Sequence, residues 1–372
     1  MRQTICLVFN RIASEQEQDY EQEQEHGEKE SVMTTNWDEI FVGRDAFVKR
    51  LLEVKQDIFI FGARRVGKTS LLKFVEKKSW ENPWTDNAAA FYLSIQGYST
   101  SEKIKRKIGI CFRKRNVGVG DNLFEDFSFF DFLEELDLKL DGLEHRVVFL
   151  IDEAEQISEI EKKEPGFVER FRNCVESLDS IRFVLTASPH FKKVFAKSHC
   201  SAFLSAFAND VLPVMTRNEI QALIGQLMPG IGAEEAEEIL EYSYYQPYLA
   251  KIFIGKLLQS RQLRPNLERV ASDAYITNAL DGIFPNYFEG LTREHQKIVS
   301  EIHLGQFQYD ETYETRLREL TQYGYLKYEA KEYKISNWFF NHWLEEDSRR
   351  HREKKKPRPP LRPVVLKRVA SM

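Results

Sequence analysis

Short apolar runs and stretches of helical periodicity alternate along the first part of the chain. Residues 44–55 repeat apolar positions at helical spacing, 57–61 (Asp57-Ile58-Phe59-Ile60-Phe61) read as a buried strand, and 69–78 return to the helical period. The alternation continues with strand 89–95, helices 101–114 and 126–140, strand 147–151, helix 165–178, strand 182–187 and a short strand 211–214. Strands that alternate with helices predict an α/β fold, a parallel sheet with helices on both faces. Ligands of such sheets bind beyond the carboxyl ends of the strands, so the residues that follow each run are the ones to inspect.

After residue 215 the strand signal stops. Helical patterns at 216–228, 233–245, 247–260 and 266–283 predict a compact all-helical lid. A third pattern begins near 290: helices 292–303 and 311–323, then Gly324-Tyr325-Leu326-Lys327-Tyr328, a turn over 329–331, Tyr333-Lys334-Ile335, and a last helix through Trp338 to Leu344. Helix, helix and hairpin in that order predict a winged helix. The expected organisation is a leader at 1–35, an α/β core at 36–215, a lid at 216–288, a winged helix at 289–346 and a tail at 347–372.

Composition adds the tails and removes some classes. A hydrophobic content of 42% over 372 residues is enough for ordinary cores in two or three domains. Residues 14–30 are nearly all acid and glutamine and cannot bury a core, so they read as a disordered or frayed helical leader, which a start at Met33 would remove. The Lys-, Arg- and Pro-rich stretch 349–368 predicts an extended basic tail, either a solvated end or one that attracts phosphate backbones or an anionic membrane surface. No apolar stretch reaches the length of a membrane span, and residues 1–12 lack the apolar core and cleavage site of a secretory signal, which points to the cytoplasm. Cys6, Cys111, Cys174 and Cys200 are far apart with no C-x-x-C, which argues against disulfides and zinc.

Candidate chemistry sits at the ends of two predicted strands. Gly62, Gly67, Lys68 and Thr69 satisfy G-x-x-x-x-G-K-[ST], the phosphate-binding P-loop pattern, between the strand 57–61 and the helix 69–78. Glycines let the chain wrap a polyphosphate with its N–H groups, a lysine reaches the outer phosphates, a hydroxyl reaches Mg²⁺, and the helix N-terminus favours the anion. The loop residues Ala63, Arg64, Arg65 and Val66, with Ser70 after Thr69, complete this candidate site. The second strand end, 146–153, closes in Asp152-Glu153. Asp152 is the expected Mg²⁺ residue with Thr69, and Glu153 the expected base for the attacking water, unless the pair only caps the helix that follows. Paired acids, and the absence of an N-K-x-D motif, favour ATP over GTP. A third strand end offers Thr186, Ser188 and Pro189, either as sensors of the γ-phosphate or as ordinary turn formers.

These motifs resemble the AAA-like P-loop ATPases of the archaeal-ATPase and STAND type, from about Phe41 to Leu344. The resemblance rests on Phe41-Val42-Gly43-Arg44, on the loop with its double arginine, on Leu150-Ile151-Asp152-Glu153-Ala154 and on Leu185-Thr186-Ala187-Ser188-Pro189. Gln246-Pro247-Tyr248-Leu249 and Tyr323-Gly324-Tyr325-Leu326 support it. It implies a P-loop NTPase core followed by a helical lid and a winged helix. It also implies Gly43 and Arg44 near the adenine, Lys68 and Thr69 on the phosphates and Mg²⁺, Asp152 and Glu153 in hydrolysis, Ser188 near the sensor position, and Pro247 in the lid beside the nucleotide. The chain departs from the family at Tyr245, where the lid's Gly-x-Pro has its glycine, and at 190–211, which hold Lys192, Lys193 and Lys197 but no arginine to act as a finger.

The reading that results is an ATP-binding, slowly hydrolysing, Mg²⁺-dependent switch ATPase. The alternatives are a DNA-associated loader or transposition helper, and a nucleotide-binding module without turnover. Expected partners are a homo-oligomer in the ATP state, an unidentified protein, and nucleic acid through the winged helix or the basic tail. Within 311–322, Arg316 and Arg318 stand against Glu311, Glu314 and Glu319, a balance that weakens specific DNA readout.

Overall fold

The computed structural model describes residues 40–81, 88–119, 121–124, 127–191, 201–260, 280 and 283–354. The leader, Met33, the three lysines of 190–211, most of the expected helix 266–283 and the tail from 355 lie outside them. Five strands, β1 (Ile58–Phe61), β2 (Ala89–Ser94), β3 (Val147–Asp152), β4 (Ile181–Ala187) and β5 (Ala208–Val211), form one sheet in the order β2-β3-β4-β1-β5. Every pair is parallel. Alternate strand residues Phe59, Phe61, Phe91, Leu93, Phe149, Ile151, Phe183 and Leu185 enter one continuous core. That core also takes in helices α3 (Ser101–Lys114), α4 (Phe129–Gly142) and α6 (Phe167–Ser177). The intervening Ile58, Ile60, Val148, Leu150 and Val184 are buried as well, and α2 (Lys68–Ser79) packs on β2 and β3. Burial on both faces is why the strands read as unbroken apolar runs. Helices α1 (Asp45–Leu52), α5 (Ile157–Lys163) and α7 (Ser201–Ser205) complete the core; α5 is the helix expected after the paired acids, and α7 was not expected.

The outer edge of β2 is closed by α2 and the residue after it. Trp80 donates to the Ala90 carbonyl at 2.8 Å, the Ala90 N–H donates to Ser79 Oγ at 3.0 Å, and the Tyr92 N–H donates to Glu76 Oε1 at 3.0 Å. These bonds occupy groups that would otherwise template another strand.

Lid helices α8 (Arg217–Leu227), α9 (Ala233–Ser243) and α10 (Pro247–Ser260) follow, then α11 (Phe284–Glu289). The winged-helix segment comprises α12 (Arg293–His303), α13 (Glu314–Gln322) and an antiparallel hairpin of β6 (Leu326–Glu329) and β7 (Glu332–Ile335). Two expectations are corrected. The fifth strand is 208–211, not 211–214: the Leu212 N–H still donates to β1, but Pro213 and Val214 are a half-buried strap whose backbone bonds go to Arg44 and the winged-helix segment. The last helix, α14 (Trp338–Lys354), does not end at Leu344, so the first basic residues of the supposed extended tail are helical. No helix among the described residues is long and apolar enough to cross a membrane.

The strap joins core, lid and winged helix. Leu212 N–H donates to the Phe61 carbonyl at 2.7 Å, Val214 N–H to Gln322 at 3.4 Å and Met215 N–H to Tyr245 at 3.1 Å. From the other side the Arg44 guanidinium donates to the carbonyls of Pro213 at 2.6 Å and Val214 at 3.2 Å, and the Arg44 N–H donates to Glu219 Oε1 at 2.6 Å. Glu219 in turn completes a capping box with Thr216 at the start of α8.

Asp57, just before β1, ties three strands together. Its carboxylate accepts the Phe183 N–H at 2.6 Å, and its carbonyl accepts the Ala208 N–H at 2.9 Å. Burial pushes the carboxyl up to about 6, against the Phe183 N–H and the nearby Arg182, which both pull it down. A raised carboxyl pKa means that the folded state holds the proton more tightly than the unfolded chain. This component of stability is therefore full below pH ~4 and lost as the pH rises through about 6. We expect Asp57→Asn, which keeps an acceptor for Phe183, to lack that loss. Urea unfolding of both proteins from pH 4.5 to 7.5 should show wild type losing on the order of 2–3 kcal/mol relative to the variant. A constant difference across that range would refute the assignment.

Candidate nucleotide site

The loop after β1 is held from beneath by Ala63 and Val66, both buried, while Arg64 and Arg65 are exposed. Gly67 has φ 102°, a conformation that L side chains rarely adopt, and a Cβ there would stand 4.0 Å from Pro247 Cγ in the lid. Arg65, itself at φ 64°, lies over the Tyr248 ring at 4.6 Å. The lid residue expected beside the nucleotide therefore does stand at the loop. Ser70 is exposed in the first turn of α2. Gly62 is packed, with Val66 Cγ1 and the Leu212 carbonyl each 3.1 Å from where its Cβ would be.

Lys68 donates to the Gly62 carbonyl at 2.7 Å and to the Ala63 carbonyl at 2.9 Å, curling over its own loop. Burial pulls its ammonium below the usual lysine range, and the charges of Glu155 and Asp152 oppose that shift. Thr69 Oγ1 donates to Asp152 Oδ2 at 2.6 Å, which joins the two motifs that the sequence placed 83 residues apart. The remaining donors to Asp152 are the Thr186 hydroxyl at 2.5 Å and the Glu153 N–H at 3.1 Å on Oδ1, and the Tyr92 hydroxyl at 3.2 Å on Oδ2. Asp152 and Thr186 are almost fully buried.

Glu153 occupies the left-handed region at φ 60°, uncommon for a residue with a side chain and frequent at functional sites. Its Oε2 is buried and has no hydrogen-bond partner among the described residues. Burial first, then the charges of Asp152 and Glu155, push its carboxyl above the usual glutamate range, against Arg64 and Lys68. An orphaned acceptor beside a carboxylate that takes three hydroxyl donors suits a water or a cation as partner. The donor set of Thr69 and Asp152 is likewise the oxygen-only chemistry that Mg²⁺ takes. These residues fit a Mg²⁺–nucleotide.

Other expected residues have different engagements. The Ser188 N–H donates to Glu155 Oε1 at 2.6 Å, so Ser188 fixes a third acid near Lys68. The Arg44 side chain is spent on the strap, and Gly43 lies against Glu219. The sequence reading passed over Tyr92 and Glu155. In the structure Tyr92 and Ser94 are half-buried between the fully buried Phe91, Leu93 and Ile95, on the opposite face of β2 from those residues.

A parallel sheet in the order 2-3-4-1-5, with a P-loop-pattern segment after β1 and paired acids after β3, is a fold shared with Walker-type ATPases. No family model matches the chain, and no curated protein matches its sequence. Among solved structures, the Walker-type ATPase of Pyrococcus abyssi is similar over 82% of this chain and 96% of its own, at 15% identity and a TM-score of 0.57. The Aeropyrum pernix ORC2 protein in its ADPNP–ADP complexes covers 86% of this chain and 97% of its own, at 13% identity and a TM-score of 0.48. A STAND protein with a tetratricopeptide repeat sensor from Pyrococcus horikoshii covers 87% of this chain and 46% of its own, at 12% identity and a TM-score of 0.37. The first of these carries the fold assignment, and the looser two add nothing to it.

Thr186→Val keeps the shape of a fully buried side chain and removes a donor to a buried carboxylate. We expect it to lower unfolding stability by about 1–3 kcal/mol, and Thr186→Ser to lower it much less. Equal losses in chemical denaturation would assign the effect to packing instead.

Proposed function

We propose that this protein is a Mg²⁺-dependent ATPase that works as a switch, its nucleotide state setting how the lid and winged helix rest on the core. The observation that supports this best is the meeting of Lys68 and Thr69 with Asp152 and Glu153, where one oxygen of Glu153 is buried and unpartnered. Lys68 and the N–H groups of 62–69 would hold the phosphates. Thr69 and Asp152 would hold Mg²⁺, which when bound neutralises charge on the phosphates. Glu153, its proton affinity raised, would accept the proton of the attacking water. Ser188 would act through Glu155, and Pro247 and Tyr248 would close over Gly67 and Arg65. Gly43 and Arg44 would flank the base through the strap.

Slow turnover fits a segment 190–211 without arginine. Arg64, whose charge acts on both Lys68 and Glu153, is the residue of this chain best placed to compensate. The cations of α13 are paired, Arg316 with Glu294 at 2.8 Å and Arg318 with Glu314 at 3.2 Å. That pairing supports a protein-contacting winged helix over one that reads base edges.

Two variants test the proposal. Glu153→Gln should cut phosphate release by about 10² or more while binding of a fluorescent ADP analogue persists; unchanged turnover would remove Glu153 from the chemistry. Gly324, at φ 78°, would place a Cβ 2.1 Å from Val214 Cγ1, so Gly324→Ala should loosen the winged helix from the strap at a cost on the order of 2 kcal/mol. Limited proteolysis should then show the same fragments with ADP and with a non-hydrolysable ATP analogue, whereas wild type should differ between them. A variant that kept the nucleotide-dependent difference would disconnect the winged helix from the switch.

A further inference from the structure

We infer that Tyr92 is a positioning residue for the metal-binding carboxylate, a role that rests on the Mg²⁺–nucleotide reading of the site and extends it to a strand outside both phosphate motifs. The Tyr92 hydroxyl donates to Asp152 Oδ2 at 3.2 Å, the same oxygen that takes the Thr69 hydroxyl at 2.6 Å. The residue is in register with Leu150, and Ser94, two residues on along the same face, is in register with Asp152. Ser94 thus stands on the same side of β2 as Tyr92, nearer the strand end. On the other face of β2, Phe91 stacks on Phe112 at 4.5 Å and meets Phe149 at 6.2 Å. Packing in this sheet is thus supplied by rings that carry no hydroxyl. The oxygen of Tyr92 is the feature that packing does not require.

The geometry gives that oxygen a defined task. Asp152 Oδ1 is fixed by Thr186 and the Glu153 N–H, which sets the plane of the carboxylate. Oδ2 faces the loop and takes two hydroxyls, one from the helix that follows the loop and one from the edge strand. Of these, the Thr69 hydroxyl belongs to the proposed metal shell, so the Tyr92 hydroxyl is the donor left to hold Oδ2 in place from behind. As a phenol it is a donor to the carboxylate, and the geometry shows it donating. Three charged groups besides Asp152 bear on it. The Lys73 ammonium lies 5.6 Å from the ring centroid, Glu76 Oε1 accepts the Tyr92 N–H at 3.0 Å, and the Glu153 charge acts on the phenol from the site side. A donor that orients a metal-ligating carboxylate affects metal affinity far more than nucleotide contacts.

Tyr92→Phe separates this role from packing because it retains the ring. The experiment titrates Mg²⁺ into the full chain with a fluorescent ADP analogue, and measures binding of the same analogue without metal, with a thermal melt on each protein. The expected result is a rise on the order of tenfold in the Mg²⁺ concentration for half-maximal effect, with metal-free nucleotide affinity unchanged. Ser94→Ala, which removes the neighbouring hydroxyl on the same strand face and leaves the Tyr92–Asp152 bond in place, should shift the same midpoint by a smaller factor. A Tyr92→Phe protein with wild-type Mg²⁺ dependence would overturn the role of Tyr92 alone. Weakened binding with and without metal alike would also overturn it, in favour of a structural role. Wild type that bound the analogue without any influence of Mg²⁺ would overturn both this role and the reading on which it rests.

Discussion

A buried carboxylate must collect its hydrogen bonds from wherever the fold can supply them, and at Asp152 this requirement organises the core. Isolated in an apolar interior the charge would cost several kcal/mol. Here it receives four donors, from the start of α2, from β2, from β4 and from its own chain at Glu153. Two of those segments, β2 and β4, flank β3 on either side in the sheet. Phenylalanine rings in the core beneath can exchange partners at small cost, but a register slip on either side of β3 would withdraw a donor from a charge. Fold specificity and site geometry thus come from one constraint. The residue that would hold a cation is also the residue that fixes the strand order around it.

The strap plays a corresponding part between modules. Backbone groups of 212–215 are shared among Phe61 of the core, Gln322 of the winged-helix segment and Tyr245 of the lid, while Arg44 holds two of the carbonyls. Burial lowers the pKa of the Arg44 guanidinium, and the Glu219 charge counters that effect. Glu219, held by the backbone N–H groups of Thr216 and Arg44, sits below the usual glutamate range despite its own partial burial. A displacement of the lid would separate this pair or carry it along as a unit. Charge-assisted hydrogen bonds favour the second course, since each partner left alone would remain partly buried without compensation.

What the sequence made legible was chemistry that needs rare residue types at fixed spacing. The P-loop and Asp152-Glu153 could be read because no ordinary strand–turn–helix requires a lysine, a hydroxyl and two acids at those places. The sheet could be read because burial on both faces writes itself as apolar runs. Two misreadings and one omission have separate physical causes. Leu212 to Val214 are apolar because three modules cover them, which imitates a strand, whereas the true edge strand carries Asn209 and Asp210 and is only partly buried. The basic residues after Leu344 suggested a tail, yet helical geometry continues to Lys354. Tyr92 gave no sign of its role because its partner lies 60 residues away and strand pairing alone brings them together.

Tyr245 shows how an absent glycine can leave a turn intact. The lid turn before Pro247 is made with Tyr244 at φ 41° and Tyr245 at φ 60°, both in the left-handed region that glycine enters without cost. Side chains there cost roughly 1–2 kcal/mol per residue, so the surroundings must over-determine the conformation. The two rings contact each other at 4.8 Å, the Tyr244 N–H donates to Leu240 at 2.7 Å, and the Tyr245 carbonyl accepts the strap N–H of Met215. Next in the chain, buried Gln246 donates to the Tyr287 hydroxyl at 2.7 Å, while the Tyr325 hydroxyl donates to the Tyr287 carbonyl at 2.9 Å. A glycine at this position would give the same path with freedom to leave it. The tyrosine gives the path with contacts that hold it. The difference lies in the stiffness of the turn, whose contacts run into both the strap and the winged-helix segment.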